Sequence, residues 1–244
     1  MHTESLLTVR PSLYDNIRAL DRSSGESRIF APAAYARVRT AQIVPVVHIE
    51  VLNVARWFPL CWQSVGGTVN FVALRSLFDD GMRQLAGSGA MAALPLALRA
   101  YPFVVGTGYS ADTHLLDTDI PDHPSDVGAP IMAASGKASA GALLKLRAKT
   151  AFDEALPLTQ AMTEALVAGN LLEPWPLDFE IDGKTIGVPD LLVLRPGEAT
   201  SPAMFQFMET FGAPAAVLLG AHRISLFRAG ILFQAARNAP QGEH

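Results

Sequence analysis

Phe58-Pro59-Leu60-Cys61-Trp62-Gln63-Ser64-Val65-Gly66-Gly67-Thr68-Val69-Asn70-Phe71-Val72-Ala73-Leu74 is the stretch that decides the architecture. Two runs rich in β-branched and aromatic residues flank a Gly-Gly pair. That arrangement predicts a β-hairpin, with strands over 58–63 and 68–74. Just upstream, Ile43-Val44-Pro45-Val46-Val47-His48-Ile49-Glu50-Val51 reads as another strand, which Pro45 confines to an edge or to its first residues. Asn53 is placed as the cap of a short helical turn over 54–56. Residues 1–43 read as a polar lead-in, with its clearest loop at 23–27.

Downstream of the hairpin, 90–100 favours a helix that stops before Tyr101-Pro102, because a residue preceding proline avoids the α region. Residues 103–106 start a further strand. Gly, Pro, Asp and Ser crowd 106–137, which predicts a long loop with a short strand near 113–116. The strongest helical signal covers 140–168. There Leu144, Ala148, Phe152 and Leu156 recur every fourth residue and line one face. Pro157 is expected to kink or split that helix, and Gly169-Asn170 to end it. Strands over 177–181 and 185–194 flank the three-residue turn Asp182-Gly183-Lys184, with Pro189 spoiling the second arm. Helices over 201–211 and 214–238 close the chain. Strands in runs with helices segregated between them predict an α+β fold: an antiparallel or mixed sheet, a long central helix and a C-terminal helix. The chain reads as a single domain over 1–244, with its core at about 12–236.

Composition sets limits on function. Half of the 244 residues are hydrophobic and 17% are charged, the balance of a chain with a sizeable packed core. A net charge of −4 argues against a nucleic-acid footprint. Lys145, Arg147 and Lys149 read as the solvated side of a helix. Cys61 is the only cysteine, so no intrachain disulfide or cysteine-rich zinc site can form. Its apolar neighbours make it a buried thiol. Met1-His2-Thr3-Glu4-Ser5 has neither the basic nor the apolar region of a secretory signal. The apolar stretch 213–236 is interrupted by His222, Arg223 and Arg228 and reads as a core helix rather than a membrane span, its Gly220 and Gly230 permitting close approach to the sheet. A soluble, cytoplasmic protein is the expectation.

Motifs that carry chemistry fail on inspection. His48-Ile49-Glu50 matches half of a zinc deaminase signature, but the paired cysteines are missing. Gly136-Lys137 is followed by Ala138 and lacks the preceding glycine of a phosphate loop. Gly108-Tyr109-Ser110-Ala111-Asp112 lacks the closing glycine of a nucleophile elbow. Gly87-Ser88-Gly89 and Gly106-Thr107-Gly108 are turns. Asp112, His114, Asp117, Asp119, Asp122, His123 and Asp126 form the densest polar cluster. Pro121 and Pro124 break their spacing, so they read as a solvated acidic loop rather than a metal site. No cofactor or metal is expected. The charges that stand out among apolar neighbours are Glu50, Arg99, His222 and Arg223, and these are the binding candidates. An ion pair is the expected role of Glu50 and Arg99, and the polar stripe of a boundary helix that of His222 and Arg223.

Three segments resemble the bacterial SapC family. The first runs from Val44-Pro45-Val46 through Glu50 to Trp57-Phe58-Pro59-Leu60. The second opens at Phe71-Val72-Ala73-Leu74 and closes with Leu94-Pro95-Leu96-Ala97-Leu98-Arg99-Ala100-Tyr101-Pro102-Phe103. The third is Leu171-Leu172-Glu173-Pro174-Trp175, followed by two strands and a closing helix with His222-Arg223-Ile224-Ser225-Leu226. Ala73-Leu74-Arg75-Ser76-Leu77-Phe78 lacks the Gly and Asn that family members carry there, so the chain looks like a divergent member. The resemblance brings no catalytic mechanism. It implies an association with the surface layer, the cell envelope or outer-membrane nutrient uptake, with relatives encoded beside flavin-dependent halogenase-like proteins. Two readings follow: an accessory or binding protein with a protein partner or a second copy of itself, and an enzyme whose site assembles only in three dimensions. A pocket holding Glu50, Arg99 or His222 would favour the enzyme.

Overall fold

The structure is a computed structural model that describes residues 13–20, 27–78, 94–106, 114–122, 127–181 and 184–237. Its centre is a five-stranded antiparallel sheet of order β3-β5-β4-β11-β8, built from β3 (Ile43–Pro45), β4 (Leu60–Val65), β5 (Thr68–Leu74), β8 (Leu172–Pro174) and β11 (Leu191–Leu194). The predicted hairpin forms its spine. Leu60 pairs with Ala73, and the register runs out to Val65 opposite Thr68. Gly66 and Gly67 close it with φ of 57° and 82°, a turn that residues with a Cβ resist. Side chains alternate between the sheet's faces. Leu60, Trp62, Phe71 and Ala73 join one core cluster, while Cys61, Val72 and Leu74 join another.

The first face is covered by α4 (Ala140–Ala168) and α5 (Pro202–Ser225), which contribute Met162, Leu166, Phe207 and Leu218. The second is covered by the hairpin of β9 (Leu177–Ile181) and β10 (Lys184–Val188) and by Leu232 and Ala236 of α6 (Ala229–Arg237). The fold is α+β, with the long central helix and the C-terminal helix in place.

Several local expectations are corrected. Only 43–45 of the predicted first strand forms a strand. His48–Glu50 is a 3-10 turn that runs into α2 (Val51–Val54), so Asn53 lies inside a helix and caps nothing. The lead-in is no polar appendage: Leu13, Tyr14, Tyr35 and Val38 are buried in a cluster with α3 (Leu96–Ala100) and α4. Residues 103–106 make one bridge, Phe103 with Leu116, rather than a strand. Pro157 sits inside α4 without dividing it. Burial of Phe152, Ala155, Thr159 and Met162 on either side offsets the missing hydrogen bond. Ala148 and Phe152 of the predicted face are buried and Leu156 packs beside them, but Leu144 is exposed and Lys145 and Lys149 are buried in its stead. Lys184 pairs with Ile181, which leaves a two-residue connection instead of three. The arm after it is two strands, separated where Asp190 takes a φ of 62°. Residues 87–93, 107–112, 123–126 and 1–12, where several sequence readings fall, lie outside the described residues.

The segment Pro202–Arg237 is long and apolar enough, by length and composition, to cross a membrane. Its contacts tie it to the sheet instead. His222 and Ser225 reach from α5 into the strands, and Gly212 (φ 56°) bends the helix where it begins to do so. Gly220 and Gly230 do not face the sheet as expected. A Cβ at either would meet nothing, and both point outward.

Candidate functional site

The residues that stood out in the sequence are placed first. His222 is completely buried and packs against Trp62, ring centroids 4.8 Å apart and planes tilted by 55°. Its Nδ1 donates to the carbonyl of Leu60 (2.6 Å), and its Nε2 accepts from the backbone N–H of Leu194 (3.2 Å). Both ring nitrogens are thus engaged, and burial holds the imidazole neutral with its pKa down at about 4. Neighbouring Arg223 is exposed and turns back to donate to the carbonyl of Arg195 at 3.2 Å.

Glu50 is buried at the start of α2. One carboxylate oxygen accepts from the N–H of Val47 (3.1 Å), closing the 3-10 turn, and the other accepts from the N–H of Leu96 (2.7 Å), the first residue of α3. Burial outweighs those two donors and the field of Arg99, and it pushes the Glu50 pKa up to about 7. Arg99 itself is exposed on α3. These four residues therefore form two separate structural devices rather than one constellation.

The acidic cluster is structural where it is described. Asp117 is buried and accepts from the N–H groups of Asp15, Asn16 and Asp119. Asp119 accepts from Tyr101, and Asp122 pairs with Arg39. Among the described residues no group of three His, Cys, Asp or Glu is placed to hold a metal. Cys61 is fully buried, and desolvation pushes its thiol pKa up, the opposite of a reactive thiolate.

What the geometry offers is a pocket between the sheet and α4. Val46, Val69, Asn70 and Phe71 line the sheet side, and Phe152, Leu156, Thr159, Gln160 and Thr163 the helix side. Tyr14, Val105 and Gly106 close one end. It is a narrow space, partly open to solvent. Among the described residues its walls hold no charged one. The hydroxyls are already engaged: Tyr14 accepts from Val105 N–H (3.3 Å), Thr159 from His48 N–H (3.0 Å), and Thr163 from Trp62 Nε1 (3.2 Å). The amides of Asn70 and Gln160 are half-buried and make no side-chain hydrogen bond among the described residues. None of Glu50, Arg99, His222 or Arg223 lines this space. Sequence reading passed over Asn70 and Gln160 because isolated neutral amides carry no motif.

Behind the pocket lies a buried ion pair that sequence reading assigned to solvent. Lys149 pairs with Asp153 one turn along α4, and Asp153 also accepts from Gly106 N–H at 2.6 Å. Lys145 donates to the carbonyl of Tyr101 at 2.5 Å. The four-residue spacing of Lys149 and Asp153 was the available signal.

The SapC family model matches residues 25–195. The chain belongs to the SapC family. The match takes in the sheet, α4 and every pocket-lining residue but Tyr14, and it ends just before α5. Of the three resembling segments, the first two and Leu171–Trp175 fall inside the SapC match, while His222–Leu226 lies beyond it. No curated protein and no solved structure matches this SapC chain.

Proposed function

We propose that this SapC-family protein is a non-catalytic binding protein serving the cell envelope, its surface layer or outer-membrane nutrient uptake, and that the pocket between α4 and the sheet holds its ligand. The observation that carries this reading is the chemistry of the walls. A mostly apolar space, uncharged among the described residues, with two amides that make no side-chain hydrogen bond to them, suits a small neutral molecule that hides an apolar body and offers a carbonyl, hydroxyl or amide to Asn70 and Gln160. Acid–base chemistry would need a carboxylate, imidazole or amine in that space; among the described residues the titratable side chain there is Tyr14, already engaged by Val105 N–H, and Glu50, Arg99 and His222 stand elsewhere. A cytoplasmic location and a protein partner in the envelope belong to the same proposal.

The test uses Nile red, a neutral apolar dye, on the full chain. The wild type should bind it in the pocket, and Gln160→Trp, which fills that space from α4, should abolish binding while leaving the melting temperature near that of the wild type. Equal binding by both proteins would remove the pocket from the account. Fractionation of a native host and mass spectrometry of what copurifies then identify envelope association and partner.

A further inference from the structure

The helix pair α5–α6 is apolar on both sides, yet the protein covers only one. Met204, Phe207, Leu218, Ala221 and Leu232 face inward, whereas Val217, Ile224, Phe227 and Ile231 face solvent. Phe227 is 86% exposed, the most open large apolar side chain among the described residues. These outward residues follow one another in steps of seven, three and four, so they form one stripe, with Gly220 in the gap. Only 28% of the most apolar part of the segment is buried. A helix that is apolar all round is normally covered on every side.

Charge says what covers this one. Residues 210–237 hold three arginines, Arg223, Arg228 and Arg237, and no Asp or Glu. The net charge of the chain is −4, so the rest carries −7 once these three are set aside. Arg223 and Arg237 are exposed, and neither these two nor Arg228 forms an ion pair among the described residues. An apolar stripe flanked only by guanidinium groups is complementary to a surface that is anionic outside and apolar beneath.

We propose that the outer face of α5 and α6 docks on an anionic lipid bilayer, with Val217, Ile224, Phe227 and Ile231 entering the headgroup–acyl boundary and the arginines meeting phosphate. The helix lies on the membrane rather than across it, because His222 and Ser225 hold its other side to the sheet. A second copy of the chain fits less well, since it would bring two sets of unpaired arginines together. This inference does not depend on the pocket.

The test is cosedimentation of the full chain with vesicles of phosphatidylcholine and phosphatidylglycerol, against phosphatidylcholine alone. Binding is expected only to the anionic vesicles and should weaken with salt. Phe227→Glu should lower it roughly tenfold or more, and each of Arg228→Gln and Arg237→Gln about fivefold. Both kinds of side chain point outward, so circular dichroism and melting should match the wild type. Failure to bind either vesicle would overturn the proposal. So would sedimentation velocity without lipid showing a dimer that Phe227→Glu dissociates, which would give the stripe to a second copy.

Discussion

His222 completes a rung of the sheet on behalf of Leu60 and Leu194. The β4–β11 register, Leu191 with Gln63 and Leu192 with Trp62, would continue through Val193 opposite Cys61 to Leu194 opposite Leu60. That rung is not made between the strands. The imidazole of His222 stands in it, donating to the carbonyl of Leu60 and accepting from the N–H of Leu194, while Ser225 accepts from the N–H of Leu60 at 2.8 Å. One turn of α5 thus supplies three of the hydrogen-bonding partners a strand would have given. His222→Ala should leave two buried backbone groups unpaired and a cavity, costing on the order of 3 kcal/mol or more in a urea melt at pH 7.

The pH dependence of that histidine has a definite sign. Its folded pKa, about 4, lies below the ordinary 6.5, so the unfolded chain binds the extra proton first. The stability His222 contributes is complete above pH 6.5 and is lost as pH falls toward 4, with a total range of about 3 kcal/mol. Glu50 acts in the other direction. Its folded pKa of about 7 exceeds the usual 4.5, so its contribution is complete below pH 4.5 and lost as pH rises through 7. Between pH 4.5 and 6.5 the two effects oppose each other. Urea melts across that range should therefore show stability falling with acid in Glu50→Gln and rising with acid in His222→Ala. Slopes of the same sign in both variants would show that one of these environments is misassigned.

The buried pair on α4 predicts a non-additive cycle. Removing one partner strands the other charge in the core, so Lys149→Met and Asp153→Asn should each cost about 3–5 kcal/mol. The double variant should cost clearly less than the two together, because no lone charge remains. Thermal melts of the four proteins measure the coupling. Simple additivity would mean that Lys149 and Asp153 act independently.

Much of this fold was legible in the sequence, for reasons that differ by element. Thr68–Leu74 and Ala140–Ala168 match the residues read from pattern alone. In the first, a β-branched run abuts a Gly-Gly turn. In the second, Ser139 caps the helix by accepting from Ala142 N–H, and Gly169 ends it. His48–Glu50 was illegible because β-branched residues suit a strand, while the hydrogen bonds from Val47 and Leu96 to Glu50 close a turn that only the tertiary structure reveals. Lys145 misled because its partner, the carbonyl of Tyr101, lies outside any local window, and Lys149 because its pairing with Asp153 one turn on does not show that both are buried. Cys61 was read correctly as buried, since large apolar residues surround it on the strand itself. The pocket was illegible in principle. Asn70 and Gln160 are ninety residues apart and meet only when α4 crosses the sheet.

Removal of everything after Arg195 should prevent the chain from folding as a monomer, even though the whole family-matched region, 25–195, would remain. The deleted helices supply Met204, Phe207, Leu218 and Ala221 to one face of the sheet and Leu232 and Ala236 to the other. Each large side chain contributes roughly 1.5–3 kcal/mol on burial, so four of them together reach the scale of a domain's net stability, about 5–15 kcal/mol. The cut also strips the partners of Leu60 and Leu194 and leaves Trp62 without the imidazole that packs on it. Circular dichroism and thermal melting of the truncated chain provide the measurement, and a non-cooperative melt is expected. Adding a peptide of residues 196–237 should restore a cooperative transition, because the lost contacts lie within that segment. A truncated monomer melting cooperatively at the full-length temperature would show that α5 and α6 are not part of the core. It would also mean that the hydrogen bonds of His222 contribute nothing to holding the sheet.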